Sequence, residues 1–127
     1  MRKVMFIHSK HKMRSLLWFS EWLCALSPLL LLATFITLAA HVRIGLGHWP
    51  TSIIEACPTP AFFIHERVFA MVALFTAFIA TPAVVLFLAT QRVRFSIVRG
   101  WIYFAGWVLI VLYCMIDPGR FIQWFLD

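Results

Sequence analysis

Apolar residues in this chain do not alternate with polar ones. They run in three long blocks, residues 16–40, 68–90 and 95–116, separated by short polar stretches. As helices rising 1.5 Å per residue these blocks are roughly 37, 35 and 33 Å long. A hydrocarbon core about 30 Å thick takes about 20 helical residues to cross. The pattern therefore predicts an all-α integral membrane protein with three transmembrane helices plus a short C-terminal interfacial helix. Around the spans it predicts a basic leader (1–15), an outer loop (41–67), a tight turn (91–94) and a tail helix (117–127), all in a single domain, 1–127. The first block has a basic lead and ends in Leu-Ala-Ala, as a signal peptide does. Its apolar run exceeds the usual 7–15 residues and contains Glu21 and Pro28, so we read it as a retained span.

Composition agrees with lipid as the solvent. The 127 residues are 63% hydrophobic and 13% charged, whereas soluble domains run near 45–50% and about 25%. A domain this small has too little interior to hide the excess. The net charge of +6 lies in short runs beside the apolar blocks, a distribution that points to membrane topology and not to a nucleic-acid partner. Arg2, Lys3, Lys10, Lys12, Arg14, Arg92, Arg94 and Arg99 fall on one side, against Arg43, Arg67 and Arg120 on the other. The positive-inside bias then places the N-terminus and residues 91–99 in the cytoplasm, and residues 41–67 and the C-terminus outside. The expected partners are the lipid bilayer and other membrane subunits or further copies of the chain.

Weakly polar and small residues mark where helices touch in lipid. One such line is Ser20, Cys24, Ser27, Thr34 and His41, running through Leu31 and Leu38; a second is Ala70, Ala73, Ala77 and Ala80; Ser96 and Gly100 form a third. Pro28 and Pro82 lie within spans and are expected to kink them. Trp18, Trp22 and Trp101 fall near one predicted boundary and Trp49, Tyr113 and Trp124 near the other, as aromatic belts do. Trp107 lies mid-span, as a packing residue. In the tail, Asp117 can cap a helix that has Pro118 in its first position.

The stretch HVRIGLGHWPTSIIEACPTP (41–60) interrupts the apolar pattern with residues able to do chemistry. His41 is expected to end the first span and His65 to begin the second, so the two can face each other and hold haem iron or a transition metal. His48, Glu55 and Cys57 are candidate metal ligands, with Glu66 close by. A turn shaped by Gly and Pro, with polar residues at the interface, accounts for the same stretch without any ligand. Cys57 and Cys114 are a possible disulfide, while Cys24 suits a packing role. Glu21 is an acid inside a span, and such a residue is a functional hypothesis by default. It suggests a small proton-coupled transporter, or, bound by Lys12, Arg14 or a headgroup, a plain anchor; Arg99 is likewise expected to reach the headgroups. Small multidrug transporters also carry a Glu in their first helix, but they have four spans. No nucleophile elbow, phosphate loop, zinc-protease helix or dinucleotide fingerprint occurs, and nothing argues for an enzyme.

Leu46-Gly47-His48-Trp49-Pro50 after the first span and Asp117-Pro118-Gly119 opening an aromatic tail resemble a set of small bacterial multi-pass inner-membrane proteins without an assigned activity. In that set an Asp-rich turn is expected where this chain has IIEACPTP. The resemblance implies the layout and a bacterial inner membrane, and supplies no site. The function expected from the whole reading is an accessory or interaction subunit, or a homo-oligomer, with no catalysis of its own.

Overall fold

The computed structural model describes residues 2–50, 60–90 and 96–126, and among them there is no strand. Helix α1 runs Arg2–Leu46, α2 Pro60–Phe75, α3 Thr81–Thr90, α4 Ile97–Ile116 and α5 Phe121–Leu126. A five-residue π turn, Thr76–Ala80, joins α2 to α3, and a 3-10 turn, Pro118–Arg120, leads into α5. Three helical stretches are long and apolar enough to cross a membrane: Trp18–Leu46, Pro60–Leu86 and Ile97–Ile116. The short C-terminal helix completes the architecture expected from sequence.

Helix α1 is the axis of the bundle, with α2–α3 antiparallel along one side and α4 parallel along another. At 45 residues it is roughly 67 Å long, so its first turns project beyond its apolar span. The leader and the block 16–40 are thus one helix, which runs unbroken from Arg2 to Leu46 with Pro28 inside it.

Helix occupies both ends of the loop expected at 41–67. Polarity alone does not end a helix: His41, Val42 and Arg43 continue α1, which stops where the Gly47 N–H closes on the Arg43 carbonyl at 2.9 Å. Pro60 starts α2 from its first position, where a missing N–H costs nothing.

Each in-span proline has a local remedy. Pro28 has no N–H to give the Cys24 carbonyl, and the Ser27 hydroxyl donates to that carbonyl instead, at 2.8 Å. Ahead of Pro82 the chain widens into the π turn, where both the N–H and the hydroxyl of Thr81 donate to the Thr76 carbonyl. The extra residue of a π turn shifts every later side chain around the helix. The buried face of this span accordingly runs through Phe62, Thr76, Ala80 and Val84. Of the expected alanine line, Ala70 and Ala77 are exposed, Ala73 is half-buried and Ala80 is buried. The line on α1 lies along the edge of the observed seam, which is Ala25, Ser27, Pro28, Phe35, Leu38, Ala39 and Val42; Ser27 and Leu38 are the two positions of the expected line that it shares.

On α4 the close approach is at Gly106, not at Ser96 and Gly100. A Cβ at Gly106 would lie 2.9 Å from the Pro28 Cβ. That contact explains why Pro28 is buried and why α4 sits so near α1.

Most of the core is at one end of the bundle. Phe35 meets Phe69 of α2 at 4.9 Å between ring centroids, Tyr113 of α4 at 5.5 Å, and Phe121 and Phe125 of α5 at 5.4 and 5.8 Å. Phe121 is fully buried, so α5 turns back into the bundle. Tyr113 and Trp124 pack against this cluster, as does Trp49; these residues build the core and do not simply ring its rim. Large apolar side chains elsewhere are widely exposed, including Met71, Phe78, Ile97, Trp101 and Met115, as a surface in lipid requires.

Candidate functional site

Three groupings of polar side chains lie along the bundle. At the end that holds the tail, the α1–α2 crossing brings His41 and His65 together, with ring centroids 5.7 Å apart and planes tilted by 42°. Neither stands where the sequence placed it, since α1 continues five residues past His41 and α2 begins five before His65. One turn deeper, the Thr37 hydroxyl lies 3.0 Å from the Thr34 carbonyl and 2.9 Å from His65 Nε2. A hydroxyl has one proton. Given to Thr34, it leaves Thr37 to accept from His65, which puts a ring proton on Nε2. The pair can share a transition ion, which imidazole nitrogens bind readily.

Of the other candidate ligands, His48 does not join this pair. His48 turns onto its own backbone, its Nδ1 2.8 Å from the Trp49 carbonyl. Glu55 and Cys57 lie outside the described residues, and with them the suggested Cys57–Cys114 disulfide; Cys114 itself is exposed on α4. No group of three His, Cys, Asp or Glu able to hold a metal occurs among the described residues.

Trp49 has a different role at this end. Its ring packs on Gly119, while the Arg43 guanidinium covers it 4.8 Å from the centroid. Gly119 has φ +72° and no room for a Cβ against the indole, so two constraints require glycine there. Asp117 then caps α5, its carboxylate accepting the Ile122 N–H at 2.7 Å. The Leu-Gly-His-Trp-Pro and Asp-Pro-Gly stretches, seventy residues apart in the chain, are therefore in contact. Nothing in sequence periodicity foretold it.

At the opposite end Glu21 and Arg99 form an ion pair between α1 and α4. Their side chains are 11% and 15% exposed, and the guanidinium also lies over the Trp22 ring, 5.3 Å from its centroid. Sequence reasoning had Glu21 meeting Lys12, Arg14 or a headgroup, and Arg99 meeting headgroups. The parallel packing of α1 and α4 overrides this: both residues lie four or five positions inside their predicted spans, so parallel helices bring them level. That equal depth with opposite charge was the signal available.

Between the two ends, the Tyr103 hydroxyl donates to Thr81 Oγ1 at 3.0 Å, and Thr81 donates in turn to the Thr76 carbonyl at 2.7 Å. This short chain ties α4 to the π turn across the bundle. Tyr103 also meets Trp107 edge-on at 6.3 Å, which accounts for the mid-span tryptophan as packing. No protein-family model, curated protein or solved structure matches the chain.

Proposed function

We propose that this is a small integral membrane protein that acts by contact, as an accessory subunit or a homo-oligomer, without a reaction of its own. The single observation that carries the reading is how the span interior spends its charge. Glu21 and Arg99, the acid and base within the apolar blocks 16–40, 68–90 and 95–116, neutralise each other between two helices of the same chain. Proton-coupled export through Glu21 needs a carboxylate free to exchange protons with water and with cargo, and the ion pair counts against it. What remains is an aromatic-locked bundle that exposes large apolar side chains on each of its three long apolar stretches, among them Leu30, Phe78 and Trp101.

The basic residues at the Glu21–Arg99 end support an orientation with that end in the cytoplasm and the tail outside. The motif resemblance supports a bacterial inner membrane. Maleimide labelling of Cys114 in intact cells tests the orientation, and labelling only after lysis overturns it. Native mass spectrometry from the protein's own membrane tests the function. A defined oligomer or a stoichiometric partner is expected; monomer alone at every expression level overturns the reading.

A second reading is favoured by one specific observation, the His41–His65 approach at 5.7 Å. Here the protein holds a transition metal between α1 and α2. Haem is the weaker form of this reading, because Phe35 and Phe69 stack at 4.9 Å between the same helices and leave little room for a macrocycle. Stoichiometric Zn²⁺ or Cu⁺ retained by the purified protein, and lost in His41→Ala with His65→Ala, is the result that supports it. Metal-free folded protein sinks it.

A further inference from the structure

Helix α5 reaches its seat through a turn that is costly to make. Within Asp117–Arg120, three residues hold positive φ: Asp117 at 38°, Gly119 at 72° and Arg120 at 56°. Glycine takes this conformation freely, and a residue with a Cβ does not. Asp117 is disfavoured twice, because a residue before proline is pushed toward extended backbone. Non-glycine residues persist in such conformations where the surrounding structure over-determines them, and they gather at switch regions. Here the Asp117 cap on Ile122 and the seat of Trp49 on Gly119 offset part of the strain.

What the turn delivers is a plug. Phe121 is fully buried, and Phe121 and Phe125 both stand against Phe35. Phe125 also meets Phe69 edge-on at 5.4 Å, and Trp124 meets Phe62 at 6.1 Å. An α5 that simply left would open a cavity in this cluster, which is costly. The seat of a neighbouring copy has the same shape, so two chains that exchange α5 keep every one of these ring contacts. Opening the turn to make the exchange also relieves Asp117 and Arg120 in each chain. Short connections under strain favour exchange of this kind. A neighbour has room beside the turn. Among the described residues of α4 only Gly106 is buried, and Val111, Met115 and Ile116 are exposed toward its end.

We propose that the chain forms a homodimer by exchanging α5, each copy's tail filling the aromatic seat of the other. The occupant is a second copy because the seat fits this chain's own α5, which fills it in the structure. The proposal rests on the homo-oligomer form of the function proposed above and names its interface.

The test uses full-length chains with two different affinity tags, co-expressed in one membrane. One chain carries Phe125→p-benzoylphenylalanine. A second experiment uses Trp124→p-benzoylphenylalanine, which keeps the test open if the first replacement does not fold. Irradiation should join α5 of one chain to residues near Phe69 or Phe62 of the other, in a product that holds both tags. Arg120→Gly relieves the closed turn and should lower that product about tenfold, the equivalent of one left-handed residue. Crosslinks confined to single chains at both positions, from protein that native mass spectrometry shows as an oligomer, overturn the exchange and leave the function standing. The same crosslinks from monomer overturn both. An inter-chain product unchanged by Arg120→Gly also overturns the exchange.

Discussion

Phe35 shows how much one side chain can decide in a bundle this small. It touches α2, α4 and α5 at once, so its removal opens a cavity that no single helix can close. Phe35→Ala is expected to cost about 3–5 kcal/mol, whereas Phe19→Ala, at a residue 63% exposed, should stay within about 0.5 kcal/mol. Thermal unfolding in a mild detergent distinguishes them; equal losses would mean that Phe35 is not the hub. Gly119 makes a sharper case. Gly119→Ala combines an unfavourable φ with a clash against the Trp49 ring, and a Trp49→Leu background removes only the clash. The two substitutions should therefore be strongly non-additive in a double-mutant cycle. Additive losses would show that the contact contributes nothing. Arg120 offers the reverse experiment. It holds φ 56°, a left-handed conformation that costs a non-glycine residue roughly 1–2 kcal/mol. Arg120→Gly should raise the unfolding midpoint.

The π turn belongs to the scale of elements. It puts one residue too many between two faces that must both meet α1, Phe62 and Phe69 on one side and Ala80 and Val84 on the other. Deleting exposed Ala77 should convert the turn to regular helix while keeping both faces inward, and so be tolerated. Deleting Met71 from α2 should rotate one face outward and disrupt the fold. Circular dichroism and a melting curve on the two deletions decide it; equal tolerance would mean that the turn is not what sets the phase. The α1–α4 ion pair is testable at this scale too. Breaking a buried pair on one side costs about 3–5 kcal/mol, less at the 11% and 15% exposure seen here. Glu21→Gln should thus be more harmful alone than together with Arg99→Gln. A double variant no better than the single one would show that the two charges do not depend on each other.

For the whole molecule, stability is concentrated at the tail end. The aromatic cluster gathers Phe35, Leu38, Ala39, Val42 and Phe62 around Phe121, and α5 is the short element that seals it. A chain ending at Ile116 should insert and keep its three long helices but melt at a lower temperature. Faster amide exchange should be confined to the last turns of α1 and the first of α2. Uniform loss of protection would mean that α5 is needed for the whole bundle. At the opposite end the described residues show the Glu21–Arg99 pair with Trp22 beside it in place of such a cluster.

What the sequence by itself determined is the solvent, the number of spans and the presence of a tail helix capped by Asp117. Those follow from segment length, apolar content and local turn chemistry, which need no knowledge of neighbours. Helix ends are less legible: the polarity of His41 and Arg43 points to a loop, yet helix continues until Gly47 and Pro50 remove the option. Only the tertiary structure decided which residues meet. The Glu21–Arg99 pair, the His41–His65 approach and the seat of Trp49 on Gly119 each join segments far apart in the chain. Their existence depends on helix direction and rotation, and one extra residue in a π turn changes which side of the following helix faces inward.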